Sequence, residues 1–319
     1  MTDLKTGPRV DPAPAAAADA PARTAVPPAR GATWARRLTP WGYLAAALVL
    51  LVAFTYVPVA NMISYSFTDW DGVSPDKDFV GVDNYVELFT RPDLFHVFFV
   101  SLFYLAAAAV QIVVALYFAT VLTFRTRFRN LFKGLLFFPY LINGVAVAFV
   151  FLYFFKEGGT LDSVLALVGV HPKQLWLGDP DLVNVSLSGV SVWRFLGLNF
   201  VLFLGAMQSI PAELHEAAEI DGATRWQVFR GIIAPSIRPI IGLSVILAIS
   251  GSLSVFEIPF IMTRGFGESK TFVIQTVKLA FDFNKMGLAS AMAVVLLAII
   301  LLITWVQRRL VPDERADRP

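Results

Sequence analysis

The sequence predicts an all-α membrane protein with six transmembrane helices, and three observations carry that prediction. Of 319 residues, 56% are hydrophobic and only 16% are charged, an apolar share above that of ordinary soluble domains. The apolar residues cluster into runs of roughly 20, the length a helix needs to cross a hydrocarbon core of ~30 Å. Lys and Arg fall unequally on the connections between those runs, as they do when one side of a membrane holds the chain's orientation.

Residues 1–37 are rich in Ala, Pro and Arg (DPAPAAAADAPARTAVPPAR). Repeated prolines forbid a continuous helix and there is no apolar face to bury, so this segment reads as a disordered cytoplasmic tail. The apolar stretch after it is long enough to span and has no convincing cleavage site, which argues against a secretory signal. The membrane domain is placed at 38–310 and a short cytoplasmic tail at 311–319. Its spans run from Trp41 to Ile63, Val97 to Phe124, Leu135 to Phe155, Val185 to Met207, Ile237 to Phe256 and Leu288 to Val306. The fourth contains Arg194 and Asn199, and the fifth has a run of serines ending near Glu257.

Orientation follows from the basic residues. The second connection, FRTRFRNLFK, has four of them and no acid, while the first, TDWDGVSPDKDFVGVDNYVELF, is strongly acidic. Apart from Arg194, 17 Lys and Arg lie on the side of the termini and 8 on the other, so both termini are expected in the cytoplasm. Trp41, Tyr65, Trp70, Tyr140 and Trp305 flank spans as headgroup anchors. Small residues at helical spacing, Gly287 with Ala291 and Ala289 with Ala293, suit close helix packing in lipid.

Several chemistries are excluded. There are no cysteines, hence no disulfide, thiolate metal site or cysteine nucleophile. A net charge of +2 without a long basic run gives no case for nucleic acid. Neither a G-x-x-x-x-G-K-[ST] loop nor a G-x-S-x-G elbow is present, and the spans offer no reactive group for intramembrane catalysis. The stretch HEAAE resembles a zinc helix, but the second ligand position, four residues after His215, is Glu219. His96 and His171 lie in connections assigned to the far side. No metal site and no catalytic residue are expected, and His215 reads as solvent-facing.

The fourth connection, 211–235, concentrates charge between apolar runs. Pro211 suits a first helical turn. Leu214, Ala217 and Ala218 line one face of the helix that follows, with Glu213 and Glu216 on another, near its positive end. Gly222 stands where a left-handed cap would end the helix. Thr224 and Gln227 form a T-x-x-Q capping box for a second helix, which places Trp226, Phe229 and Ile233 on one side. The residues leave two readings open: a solvated amphipathic connector on the lipid surface, or a docking element for a cytosolic partner.

This connection resembles the EAA loop of binding-protein-dependent ABC importer permeases of type I, with Glu216, Ala217, Ala218, Gly222, Ile232 and Pro235 in register. The fuller form EAAxIDGA, completed by Asp221 and Ala223, is similar to the carbohydrate-uptake branch. Ala234 stands where leucine is usual, an apolar change that alters packing. FVGVDNYVELF, FRNLFKGLLFFPYLI and VWRFLGLNFVLFLGAMQSIPAELHEAA resemble other segments of such sugar permeases, so the likeness covers residues 40–310, with the permease core at about 97–307. MTRGFGE lacks the glycine-rich run common in that family.

The resemblance implies a permease that is not an enzyme and binds no cofactor, in a bacterial or archaeal plasma membrane. ATP and Mg would belong to two cytosolic ABC ATPase subunits. A second homologous permease and an extracytoplasmic solute-binding protein would complete the complex, with membrane lipid around it. The implied coupling loop comprises Glu213, Glu216, Ala217, Ala218, Asp221, Gly222, Ala223 and Pro235. The solute is expected to be a mono- or oligosaccharide, with glycerol phosphate esters or another small polar solute as the alternative and a non-transporting scaffold as a third reading. Polar groups inside spans are costly and often face a cavity or a partner helix. Asn143, Arg194, Asn199, Ser250, Ser252 and Glu257 are therefore candidates for the solute path. Against this, Asn and Ser can simply satisfy neighbouring helices, and Arg194 can snorkel outward.

Overall fold

A computed structural model describes residues 32–123, 129–170 and 174–310. The described residues are helical apart from connections and one isolated bridge, Thr68 with Phe79. The chain divides into two compact units, 1–57 and 58–319. Most of the expected tail, 1–31, and the C-terminal segment 311–319 lie outside the described residues, as do 124–128 of the second connection and His171. The first helix starts at Ala32, so the last part of the segment expected to be disordered is helical.

In the first unit α1 (Ala32–Leu51) runs into a π-helical turn at Val52–Tyr56. It continues as α2 (Val57–Tyr65), giving a span from Trp41 to Tyr65. The connection after it is anchored by α3 (Asp83–Thr90) and α4 (Pro92–Phe95). Buried Asn84 donates to the carbonyls of Ser66 and Thr68 at 2.9 and 2.8 Å. The Tyr85 hydroxyl meets Ser66 Oγ at 2.7 Å. These bonds replace water for backbone groups that no strand or helix pairs. Arg91 donates to Asp93 and Glu87, which hold its guanidinium well above its ordinary pKa.

The second span is α5 (Val97–Thr123), which with α4 forms a continuous apolar stretch from Pro92. The third differs from the sequence expectation. Where one span, Leu135 to Phe155, was expected, two helices stand at 95° to each other, α6 (Arg129–Leu141) and α7 (Gly144–Phe154). Pro139 lacks the N–H that would continue α6 past its last turn. Asn143 then restarts the helix as its N-cap, its Oδ1 accepting from Val145 N at 2.9 Å. After α8 (Thr160–Leu167), Asp179 caps α9 (Pro180–Gln208), the fourth span.

Three short helices follow: α10 (Ala212–Ile220), α11 (Arg225–Val228) and α12 (Ala234–Ser236). The fifth span is broken as well, into α13 (Arg238–Leu253) and α14 (Glu257–Thr263). Pro259 cannot donate to the carbonyl of Val255, and Thr271 Oγ1 donates to that carbonyl instead, at 2.8 Å. Beyond α15 (Phe272–Val277), the last span is α16 (Met286–Leu310). Among the described residues five apolar stretches are long enough to cross a membrane, the fifth running from Arg238 to Thr263 across its break, and the bent α6–α7 pair supplies the sixth.

Three buried clusters hold the second unit together. One joins Ala115, Ala119 and Leu122 of α5 to Phe200, Phe203 and Met207 of α9, and to Ala218, Val228 and Ile233 beyond them. A second packs α15 and α16 on α3 and α4 through Leu88, Leu94, Phe272 and Met292. The third joins Val147 and Ala148 of α7 to Ile258 and Met262 of α14, against α9. Gly197 allows α6 its close approach to α9: a Cβ there would overlap the Leu136 carbonyl oxygen.

Candidate functional site

Where the fifth span breaks, the helices leave a cavity of about 480 Å³ between α5, α9, α13 and α14. That volume lies within the range of small-molecule sites, about 300–1,000 Å³. Its charged lining among the described residues is one pair. Arg194 Nη1 of α9 donates to Glu257 Oε2, at the first residue of α14, across 2.7 Å. The pair lies on Gly144, the first residue of α7, where a Cβ would overlap both Glu257 Oε2 and Arg194 Nη1. Three helices thus meet at one ion pair. Arg194 does not snorkel outward: its side chain is 16% exposed, and its Nε is buried without a partner.

The rest of the lining is apolar with a few hydrogen-bonding groups. Tyr104 is 3% exposed and its hydroxyl has no partner among the described residues. Gln111 and Asn199 are buried beside it in the wall. Ser252 spends its hydroxyl proton on the carbonyl of Ala248, at 2.6 Å, and Ser254 donates to the carbonyl of Ser250. These serines satisfy their own helix and leave only lone pairs for a guest.

Of the residues expected along a solute path, Arg194, Asn199, Ser252 and Glu257 line this one cavity. Ser250 stands outside its lining and offers its carbonyl to Ser254. Asn143 is exposed and serves as the cap of α7. Tyr104, Gln111 and Gly144 were not singled out from the sequence. Gln111, an amide inside an apolar run, carried the same signal as Asn199. The Tyr104 hydroxyl and the close approach of the ion pair to Gly144 become visible only when the helices are assembled.

The second site is the connection 211–235. Its first helix begins at Ala212, with Pro211 as the residue before it rather than inside the first turn. Gly222 has φ +68°, the left-handed conformation that favours glycine. Around it Ala223 N donates to the Ala218 carbonyl at 2.9 Å, and Gly222 N to Glu219 at 3.1 Å. This 6→1 and 5→2 pair is a Schellman stop. The capping box is formed: Thr224 N donates to Gln227 Oε1 at 2.7 Å, and Gln227 N to Thr224 Oγ1 at 3.4 Å. A π-helical turn, Phe229–Ile233, precedes Pro235, whose missing N–H spoils the regular ladder.

Burial on this elbow corrects the faces read from the sequence. Ala218 is buried, whereas Leu214 and Ala217 are exposed, and His215 is half-buried rather than fully solvent-facing. In the second helix Val228 and Ile233 face the core, Phe229 is half-buried and Trp226 stacks on it from outside, 66% exposed. Glu213, Glu216, Asp221, Gly222 and Pro235 are exposed, and Ala223 is half-buried. The outward surface therefore combines carboxylates with three exposed apolar side chains, Leu214, Ile220 and Trp226. No group of His, Asp and Glu among the described residues is arranged to hold a metal ion.

The family described as binding-protein-dependent transport system inner membrane component matches residues 111–316. A probable ABC transporter permease protein of Bacillus subtilis, YurN, is 32% identical over 280 residues, covering 86% of this chain and 96% of that one. The multiple sugar-binding transport system permease protein MsmF of Streptococcus mutans is 31% identical over 274 residues, 85% and 94% of the two chains. Among solved structures, a chain of a bacterial ABC transporter involved in the import of the acidic polysaccharide alginate superposes with a TM-score of 0.73. It is 22% identical and covers 88% of this chain and 99% of that one, a likeness of fold.

Proposed function

The chain belongs to the family of binding-protein-dependent transport system inner membrane components, and from that premise we propose that it passes a mono- or oligosaccharide through the cavity beside Arg194 and Glu257. It is a multi-pass membrane permease subunit of an ABC importer and not itself an enzyme. The observation that carries the proposed path is the cavity itself, an apolar pocket at the break of the fifth span with an unpartnered buried hydroxyl and two buried amides in its wall. Non-helical backbone at membrane depth is tolerated where it lines such a cavity. The name of the mutans relative supports a sugar as the solute.

In this reading both termini and the elbow face the cytoplasm. Two ATPase subunits supply ATP hydrolysis and hold the Mg, a second permease completes the membrane part, and an extracytoplasmic binding protein delivers the solute. The elbow docks on one ATPase, Glu216 meeting a basic group there while Gly222 supplies the bend. Its rigidity supports this role: Ala218, Val228 and Ile233 pack into the same cluster as α5 and α9, so a push on the elbow moves spans. Uptake of labelled carbohydrates by vesicles holding the whole complex tests the reading. ATP-dependent accumulation of a sugar is expected, with maximal uptake reduced at least about tenfold by Glu216→Lys, equivalent to roughly 1.4 kcal/mol. Unchanged maximal uptake in that variant removes the role of Glu216. Accumulation of glycerol phosphate esters instead of sugars overturns the solute, and uptake without ATP overturns the importer assignment of the complex.

A further inference from the structure

We infer that Glu257 is a resident counter-anion that keeps the solute cavity electrically neutral and so restricts it to uncharged, hydroxyl-bearing solutes; this rests on the cavity being the solute path. The argument starts from the charges. Among its described lining residues are one cation, Arg194, and one anion, Glu257, bonded to each other at 2.7 Å. Their formal sum is zero. The carboxylate also lies against Gly144, the first residue of the 11-residue helix α7, where the backbone presents partial positive charge. Arg194 and this helix start together form a place for an anion, and Glu257 fills it.

What the pair leaves over is suited to hydroxyls. Arg194 Nε is buried with no partner, and so is the hydroxyl of Tyr104, a side chain 97% removed from solvent. Both can donate to a neutral oxygen without any ion being separated from its counter-ion. A uronate or phosphate entering the same space would bring a negative charge beside the Glu257 carboxylate, with the guanidinium already engaged. Glu257 is 41% exposed, but the wall beside it is apolar, so a like charge there costs more than in bulk water. The carboxylate that holds three helices together therefore also acts as a charge filter. Glu257 is a specificity-determining residue, and Gly144 positions it by leaving room for it.

The test uses the detergent-solubilised complex of permeases and ATPases, with inorganic sulfate as the anion probe and chloride at equal ionic strength as control. In the native complex sulfate is expected to raise the melting temperature only as much as it does in the doubly substituted Glu257→Gln, Arg194→Gln complex, the rise common to both coming from general salting-out and from the phosphate sites of the ATPases. Glu257→Gln empties the anion place, and sulfate is then expected to raise the melting temperature by about 2–4 °C beyond that shared rise, a shift of the size a bound ligand produces. Glu257→Gln combined with Arg194→Gln should abolish that further rise. A sulfate rise in the native complex larger than that in the doubly substituted complex overturns the inference. An assembled Glu257→Gln complex with no rise beyond that shared baseline overturns it as well. Failure of the path reading is seen separately. Gly251 lines the cavity and has open space at its Cβ, so Gly251→Trp fills the cavity and should stop uptake of labelled sugar. Sugar uptake that survives Gly251→Trp ends the path reading, while the sulfate response still decides the charge of the site.

Discussion

The elbow and the cavity both carry charge in an apolar chain, and they use it in opposite ways. On the elbow the carboxylates Glu213, Glu216 and Asp221 are exposed, and local backbone devices hold the shape. A Schellman stop at Gly222 and a capping box at Thr224 fix its backbone. In the cavity two charges 63 residues apart in sequence are bonded to each other, and the helices that bear them are held by that bond. Exposed charge is cheap and free to meet a partner; charge at membrane depth must be answered within the chain. Changes in the cavity should therefore move stability and transport together, while changes on the elbow should move coupling with little effect on the fold of the spans.

The largest effect is expected from Gly144→Val. Any Cβ there overlaps both Glu257 Oε2 and Arg194 Nη1, so the pair must separate or α7 must shift. Loss of a charge-assisted bond together with overpacking costs about 3 kcal/mol. A fall in the melting temperature of the complex, together with at least a tenfold loss of uptake, is the expected result. If the variant melts and transports like the native complex, the ion pair is not the joint described above.

A smaller effect is expected from Gly222→Val. At φ +68° an L side chain is strained by about 1–2 kcal/mol, and nothing lies within 4 Å of the added Cβ, so strain is the sole local cost. The elbow should loosen while the spans stay folded. The measurement is ATP hydrolysis and uptake in parallel: hydrolysis should persist while uptake falls severalfold. Equal loss of both would place the elbow on the same footing as the cavity and break the contrast between them.

The two regions also differ in how far the amino-acid sequence discloses them. The elbow is sequence-local. Its stop, its glycine and its T-x-x-Q box lie within a few residues of one another, and their spacing gives the backbone directly. Pro211 was placed one residue too far into the helix, and the faces were misread, because Leu214 and Ala217 look like a buried pair until Ala218 and Val228 are seen against α5 and α9. The six spans were legible from apolar runs, but the 95° break in the third was not. Hydropathy is blind to the consequence of Pro139 and Asn143, both of which sit inside an apolar run. Arg194 and Glu257 were visible as costly residues, and their pairing was not. Nothing in local sequence states that α14 starts beside the middle of α9, since that follows from Pro259 and from Thr271 taking up the freed carbonyl of Val255.

The smallest effect concerns Asn143, which lies next to Gly144 yet belongs with the elbow in its physics. Its Oδ1 accepts from Val145 N at 2.9 Å, its side chain is exposed, and the cavity lining does not include it. It is a local cap and not a solute contact. Asn143→Ala should then cost about 1 kcal/mol, the usual effect of a lost N-cap, visible as a slightly lower melting temperature of the complex. The sugar concentration giving half-maximal uptake should not change, because no group facing the solute has been removed. Asn199→Ala supplies the counterpart, since Asn199 is buried in the cavity wall. There the half-maximal concentration should rise by severalfold, the net worth of about one hydrogen bond. If the two variants exchange these outcomes, the solute passes the break in the third span by its exposed side, and the cavity between α5, α9, α13 and α14 is a packing defect.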